Sequence, residues 1–178
     1  KDYSELVHAL AQKLNLTKYH LAGNSMGGGV ALQLASDHPE QVLSLNLIDA
    51  GGPPAPKRQN QDSSTQKKTS GGGAWIVQLA RHPIFSKLLL YCTPKFLFEL
   101  NMKQVYGDEA KVTEEVTTRY YELMLREGNR KATLDRLSIP RSNSIQFDRL
   151  TMPTLILWGA LDTWIPLSQG QRLQQLIP

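Results

Sequence analysis

One stretch constrains this chain more than any other: Gly23-Asn24-Ser25-Met26-Gly27-Gly28. The run before it, Leu16-Thr17-Lys18-Tyr19-His20-Leu21-Ala22, reads as a strand, and the run after it, Gly29-Val30-Ala31-Leu32-Gln33-Leu34-Ala35-Ser36, reads as a helix. A strand that becomes a helix within so few residues passes through a turn with little room for side chains, which predicts that Gly23 and Gly27 stand there because they have none. Asn24 completes the turn. Such a turn lifts the Ser25 hydroxyl above the end of the sheet. It also sets the Met26 backbone N–H at the helix N-terminus, where a developing negative oxygen is stabilised.

A second, independent motif lies downstream, in Thr154-Leu155-Ile156-Leu157-Trp158-Gly159-Ala160-Leu161-Asp162-Thr163-Trp164-Ile165-Pro166. An apolar run of β-formers ends at a glycine, then an acid, then a proline. This predicts a buried parallel strand emptying into a loop at its carboxyl end, the edge where α/β sheets build sites.

Strand, G-x-S-x-G, helix, together with W-G-x-x-D-x-x-x-P, resembles the α/β-hydrolase superfamily. Gly-Asn-Ser-Met-Gly-Gly is most similar to the nucleophile elbow of its esterases and of its carbon–carbon-cleaving meta-cleavage-product hydrolases. The resemblance implies Ser25 as nucleophile, Met26 N–H as an oxyanion donor and Asp162 as the acid that orients a catalytic imidazole. Some members place the acid after the strand that follows the elbow. That is where Asp49 stands, so Asp49 is the alternative acid, against a turn-capping role. Serine at the elbow argues against the dehalogenases and epoxide hydrolases of this fold, which use aspartate there.

The family's histidine follows the acid, and no histidine follows Asp162 in this sequence. His8 is expected on a helix and solvated, His20 within a strand, His38 at a helix stop before Pro39, and His82 before Pro83 in an inserted segment. The resemblance therefore implies an internal fragment. It would lack the first strands, the loop donating a second oxyanion N–H, and the catalytic histidine, and it would be inactive alone.

Three zones are expected. Residues 1–52 hold a helix (Lys1 to Leu14, with Tyr3, Leu6, Val7, Leu10 and Leu14 as its apolar face), the elbow, and a strand from Val42 to Ile48 closed by Asp49-Ala50-Gly51-Gly52. Parallel strands joined through the elbow helix form a β-α-β unit. Residues 53–150 form a helical cap or lid: a polar loop from Pro56 to Gly73, helices over 74–81, 84–91 and 94–100, and a longer one over 113–126 stopped at Gly128. Residues 151–178 return to the core with the acid strand and a helix from Ser168. The fold class is α/β: a partial parallel sheet with flanking helices and an inserted helical cap.

Within the cap, Tyr91, Phe96, Phe98 and Met102 are candidate pocket lining or the cap's own small core. Arg119, with its acidic approach, resembles in context a cap-helix arginine that binds a substrate carboxylate in meta-cleavage-product hydrolases, a role suited to a guanidinium; the alternative is a solvated arginine pairing Glu115. The apolar stretch from Trp75 to Val105, interspersed with Arg81, Lys87, Lys95 and Lys103, could face a lipid surface or pack on the core.

Composition sets bounds. Hydrophobic residues make up 40% of the 178, and a mean hydropathy of −0.34 excludes an integral membrane chain. The net charge of +4 owes part to Lys57, Arg58, Lys67 and Lys68. They lie in a Gln/Ser/Thr-rich stretch without interleaved aromatics, which argues for a solvated loop and against nucleic acid. The single cysteine, Cys92, excludes an internal disulfide and is expected to be packed. No ligand spacing suggests a metal, and the chemistry requires no cofactor. The expected function is a serine hydrolase of carboxylic esters working through an acyl-enzyme. The alternatives are carbon–carbon cleavage of a ketone of meta-cleavage-product type and a non-catalytic, hydrolase-like binding protein. The partner is a small ester or ketone substrate.

Overall fold

The computed structural model describes residues 2–52, 82–138 and 145–178. The expected polar loop, its basic cluster and the helix over 74–81 lie outside the described residues. The chain divides into two compact units, Lys1–Gln61 with Ser142–Pro178, and Asp62–Arg141.

The first unit is built on a sheet of three parallel strands in the order β1-β2-β3: β1 (Tyr19–Asn24), β2 (Val42–Ile48) and β3 (Thr154–Leu157). Helix α2 (Met26–Asp37) is the crossover from β1 to β2. Pairing runs Asn24 to Ile48 and Ile48 to Leu157, so the three strands end level with one another. The bounds of β2 are those expected from the sequence. Leu45 and Leu47 alternate onto one face of β2 and are fully buried with Leu32 and Ala35 of α2. Each such leucine stabilises the fold by about 2 kcal/mol through apolar area removed from water. Leu150 and Met152 join the same cluster, with Ile145 and Phe147 packed against it, so these residues belong to the first unit's core rather than to an insertion. Helix α7 (Leu167–Leu176) closes the unit, burying Gly170 and Leu173.

Helix α1 (Asp2–Lys13) forms as expected but turns a different face inward. Tyr3, Leu6, Val7, Leu10 and Leu14 are all exposed, whereas Ser4 and Ala11 are buried. Small residues let α1 approach closely, and packing against a partner overrides the apolar stripe. His8 is half-buried rather than fully solvated. Its ring stacks on His38 with centroids 3.8 Å apart and planes 2° from parallel, and its Nδ1 is buried without a hydrogen-bond partner among the described residues.

The second unit is helical over its described residues: α3 (Pro83–Tyr91), α4 (Lys95–Tyr106), α5 (Glu114–Leu125) and α6 (Asn129–Ser138). The Thr113 hydroxyl caps α5 by accepting from Val116 N at 3.2 Å. Gly107 (φ 65°) ends α4, and Gly128 (φ 80°) follows α5 in the left-handed conformation that stops a helix. The Tyr121 hydroxyl donates to the Thr93 carbonyl at 2.6 Å. Lys95 pairs with Glu114, joining α4 to α5. Cys92, expected to be packed, is exposed: it caps the end of α3, past that helix's apolar face.

Candidate active site

The level strand ends decide what meets at the carboxyl edge of the sheet. Ser25 follows β1, Asp49 follows β2, and Trp158-Gly159 follows β3. Neighbouring strands lie about 4.8 Å apart, so residues one step past three aligned ends fall within one small site.

Ser25 sits at φ 52°, ψ −117°, a conformation that costs a non-glycine residue about 1–3 kcal/mol unless its surroundings impose it. Here they do. Ser25 N donates to the Ile48 carbonyl at 3.0 Å, and the Ser25 carbonyl accepts from Gly51 N at 2.7 Å and Gly28 N at 3.1 Å. Asn24 Nδ2 donates to the same Ile48 carbonyl at 3.2 Å. Sterics do the rest. A Cβ on Gly23 would lie 2.4 Å from the Gly27 carbonyl oxygen, and one on Gly28 would lie 2.4 Å from Ala50 Cβ. The space left for a side chain at Gly27 corrects the reading of the motif: beyond its own helix turn, a Cβ there meets nothing within 4 Å among the described residues. The obligatory glycines are Gly23 and Gly28, with Gly29 close behind at 2.8 Å from the Gly51 oxygen. The triple glycine 27–29 was the available signal. Met26 is the first residue of α2, so its N–H is among that helix's first-turn amides.

Asp162 belongs to a tightly closed loop. Its Oδ1 accepts from Trp164 N at 2.7 Å and Ile165 N at 2.8 Å, and its own N donates to the Gly159 carbonyl at 3.1 Å. Trp158 holds the other side. Its indole Nε1 donates to the Ile165 carbonyl at 2.8 Å, and its ring lies so close to α7 that a Cβ on Gly170 would stand 2.6 Å from Trp158 Cε3. The sequence motif flagged Trp158 without revealing this clamp. Asp49 has φ 42°, and its Oδ1 accepts from Gly159 N at 2.7 Å. Both aspartates therefore border the same glycine.

The histidines do other work. His20 Nδ1 bonds Ser44 Oγ at 2.8 Å across β1 and β2, His8 and His38 stack on each other, and His82 begins α3 in the second unit. No bond from these rings to Ser25 or Asp162 is found among the described residues. Arg119 is exposed on α5, and it forms no ion pair with Glu115 among the described residues; Glu114 is the acid engaged there. Of the candidate lining residues, Met102 is buried and Phe98 tilts against Tyr121 at 5.8 Å, while Tyr91 and Phe96 are exposed.

A family model described as the alpha/beta hydrolase fold matches residues 1–178. The chain belongs to the α/β-hydrolase family. This α/β-hydrolase chain is 27% identical over 174 residues to a 2-hydroxy-6-oxononadienedioate/2-hydroxy-6-oxononatrienedioate hydrolase of a Pseudomonas species, covering 96% of this chain and 56% of the relative. It is 27% identical over 173 residues to a 2-hydroxy-6-oxo-6-phenylhexa-2,4-dienoate hydrolase of Comamonas testosteroni, covering 94% and 54%. It thus spans about half the length of these relatives. A solved meta-cleavage product hydrolase from Pseudomonas fluorescens IP01 superposes with a TM-score of 0.66 at 24% identity, over 97% of this chain and 57% of that one, which bears on the fold.

Proposed function

We propose that this chain carries the nucleophile, an oxyanion amide and the acid of a serine hydrolase, and that carbon–carbon cleavage of a dienoic keto acid is its reaction, ahead of ester hydrolysis. The observation that carries the hydrolase reading is Ser25, held at φ 52° one residue before α2 and level with Asp162's loop. The names of the two curated relatives support the order of substrates.

Ser25 Oγ bonds to the substrate's carbonyl carbon and gives its proton to an imidazole that Asp162 orients. The rings of His8, His20 and His38 are engaged elsewhere and are not that imidazole. Met26 N–H faces the oxyanion. Collapse breaks the carbon–carbon bond, and its electron pair takes up the proton from the imidazolium. Water then attacks the acyl-Ser25 ester, releasing a carboxylic acid and freeing the hydroxyl. An ester follows the same course with an alkoxide leaving. The exposed guanidinium of Arg119 suits a substrate carboxylate. Ile84, Leu88 and Tyr91, exposed along α3, support a lipid-facing surface on this segment.

The full-length protein should lose the visible absorbance of a dienolate substrate with time and be labelled by a fluorophosphonate at Ser25. Ser25→Ala should abolish both, a loss on the order of a thousandfold or more in kcat. Ester turnover without dienolate cleavage would reverse the order of substrates. Neither turnover nor labelling would leave the non-catalytic binding protein.

A further inference from the structure

We infer that Asp49 is a positioning residue that ties the Asp162 loop to the Ser25 turn, and is not itself the acid of the site. This rests on the reading of Ser25 and Asp162 as nucleophile and acid.

The span Ile48 to Gly51 is bonded on both sides. Toward the serine, the Ile48 carbonyl accepts from Ser25 N at 3.0 Å, and Gly51 N donates to the Ser25 carbonyl at 2.7 Å. Toward the acid loop, Asp49 N donates to the Leu157 carbonyl at 3.0 Å, and Asp49 Oδ1 accepts from Gly159 N at 2.7 Å. Residue 49 thus grips the exit of β3 twice, with its main chain at position 157 and its side chain at position 159. Both carboxylate oxygens are turned onto Gly159. Oδ1 lies 3.5 Å and Oδ2 3.8 Å from where a Gly159 Cβ would be, and Asp162 Cβ lies 3.8 Å from the same point. A bond from an amide to a carboxylate is short and charge-assisted, about twice as strong as a neutral one. At φ 42° Asp49 adopts the left-handed conformation that aspartate and asparagine tolerate better than other side chains. A bare turn at this position would be served best by glycine. The carboxylate is what a glycine would lack.

The test uses the full-length protein and substitutions at Asp49 beside Ser25→Ala and Asp162→Asn. Asp49→Gly removes the carboxylate while relieving the backbone. It should lower kcat and the rate of fluorophosphonate labelling about 10- to 100-fold, the cost of a misplaced reacting group, with KM little changed. Asp49→Asn keeps an oxygen facing Gly159 N and should stay within about threefold of wild type, since one hydrogen bond is exchanged for a weaker one. Hydrogen exchange at the Gly159 amide gives a readout independent of turnover. It should be protected in wild type and Asp49→Asn and accelerated in Asp49→Gly. Asp49→Asn as inactive as Asp162→Asn would make Asp49 the acid and overturn the inference. Asp49→Gly at the wild-type rate, with Gly159 still protected, would overturn it as well. If Asp49→Gly does not fold, Asp49→Asn decides: near-wild-type kcat with Gly159 protected supports positioning, and loss of either refutes it. Activity retained by Ser25→Ala or Asp162→Asn would instead refute the underlying assignment of nucleophile and acid.

Discussion

The turn at Ser25 and the loop at Asp162 meet at one sheet edge but are held by different forces. Excluded volume and main-chain bonds, with one side-chain bond from Asn24, fix the serine turn: Gly23 and Gly28 have no room for a Cβ, and the Ser25 carbonyl accepts two amides. Side chains fix the acid loop. Asp162 accepts from two amides inside it, Trp158 spans it, and Asp49 anchors its glycine. The contrast teaches where specificity is stored. A steric constraint admits almost no substitute, whereas a polar side-chain contact can be weakened by degrees.

Substitutions can break or sharpen that contrast. The largest effect is expected from Gly23→Ala, whose Cβ would sit 2.4 Å from a backbone oxygen that cannot swing aside. The loss should be about 3 kcal/mol, read as a lowered urea midpoint. A near-neutral result would mean that the turn is plastic and the contrast empty. Trp158→Phe deletes the Nε1 bond to the Ile165 carbonyl together with the fused ring that lies against Gly170, and should cost about 1–2 kcal/mol by the same measurement. Gly27→Ala should run the other way. The site is open and helical, so alanine should stabilise α2 by about 0.5–1 kcal/mol, although the motif names this glycine. Destabilisation as large as that of Gly23→Ala would show that the motif's glycines act alike.

The smallest effect lies outside both loops. The Lys95 ammonium holds the Glu114 carboxyl below the usual glutamate range, chiefly through their hydrogen bond. A lowered folded pKa contributes stability that is present above the ordinary glutamate value and lost as pH falls through the folded one. Glu114 is exposed, so solvent screens the pair. Unfolding scans from pH 7 downward should show a slight extra loss in wild type that Glu114→Gln lacks. Equal slopes would remove the pair as a contributor.

This division of forces also explains what the sequence revealed. The serine turn was legible because sterics leave glycines at fixed spacing between two readable periodicities, and β2 was bounded correctly by its apolar run and the Asp-Ala-Gly-Gly after it. The partner of each polar group was not legible. Nothing near Asp49 in the chain points to Gly159, which only the register of β2 with β3 brings beside it. The inward face of α1 is not legible in the sequence because Ser4 and Ala11 bury by being small, which apolar periodicity does not register. Helix α6 went unseen for a related reason. Asn129–Ser138 carries few apolar residues and offers no stripe to detect.

The level ends of the three strands have a consequence for descent. Each part of the site is delivered to the same edge by a separate pass of the chain, and the passes are joined elsewhere. What is threaded between the second and third passes can be rewritten over generations without editing the serine or either aspartate. Lineages that diverge should therefore keep these short edge segments nearly fixed and accumulate their differences in the intervening stretch.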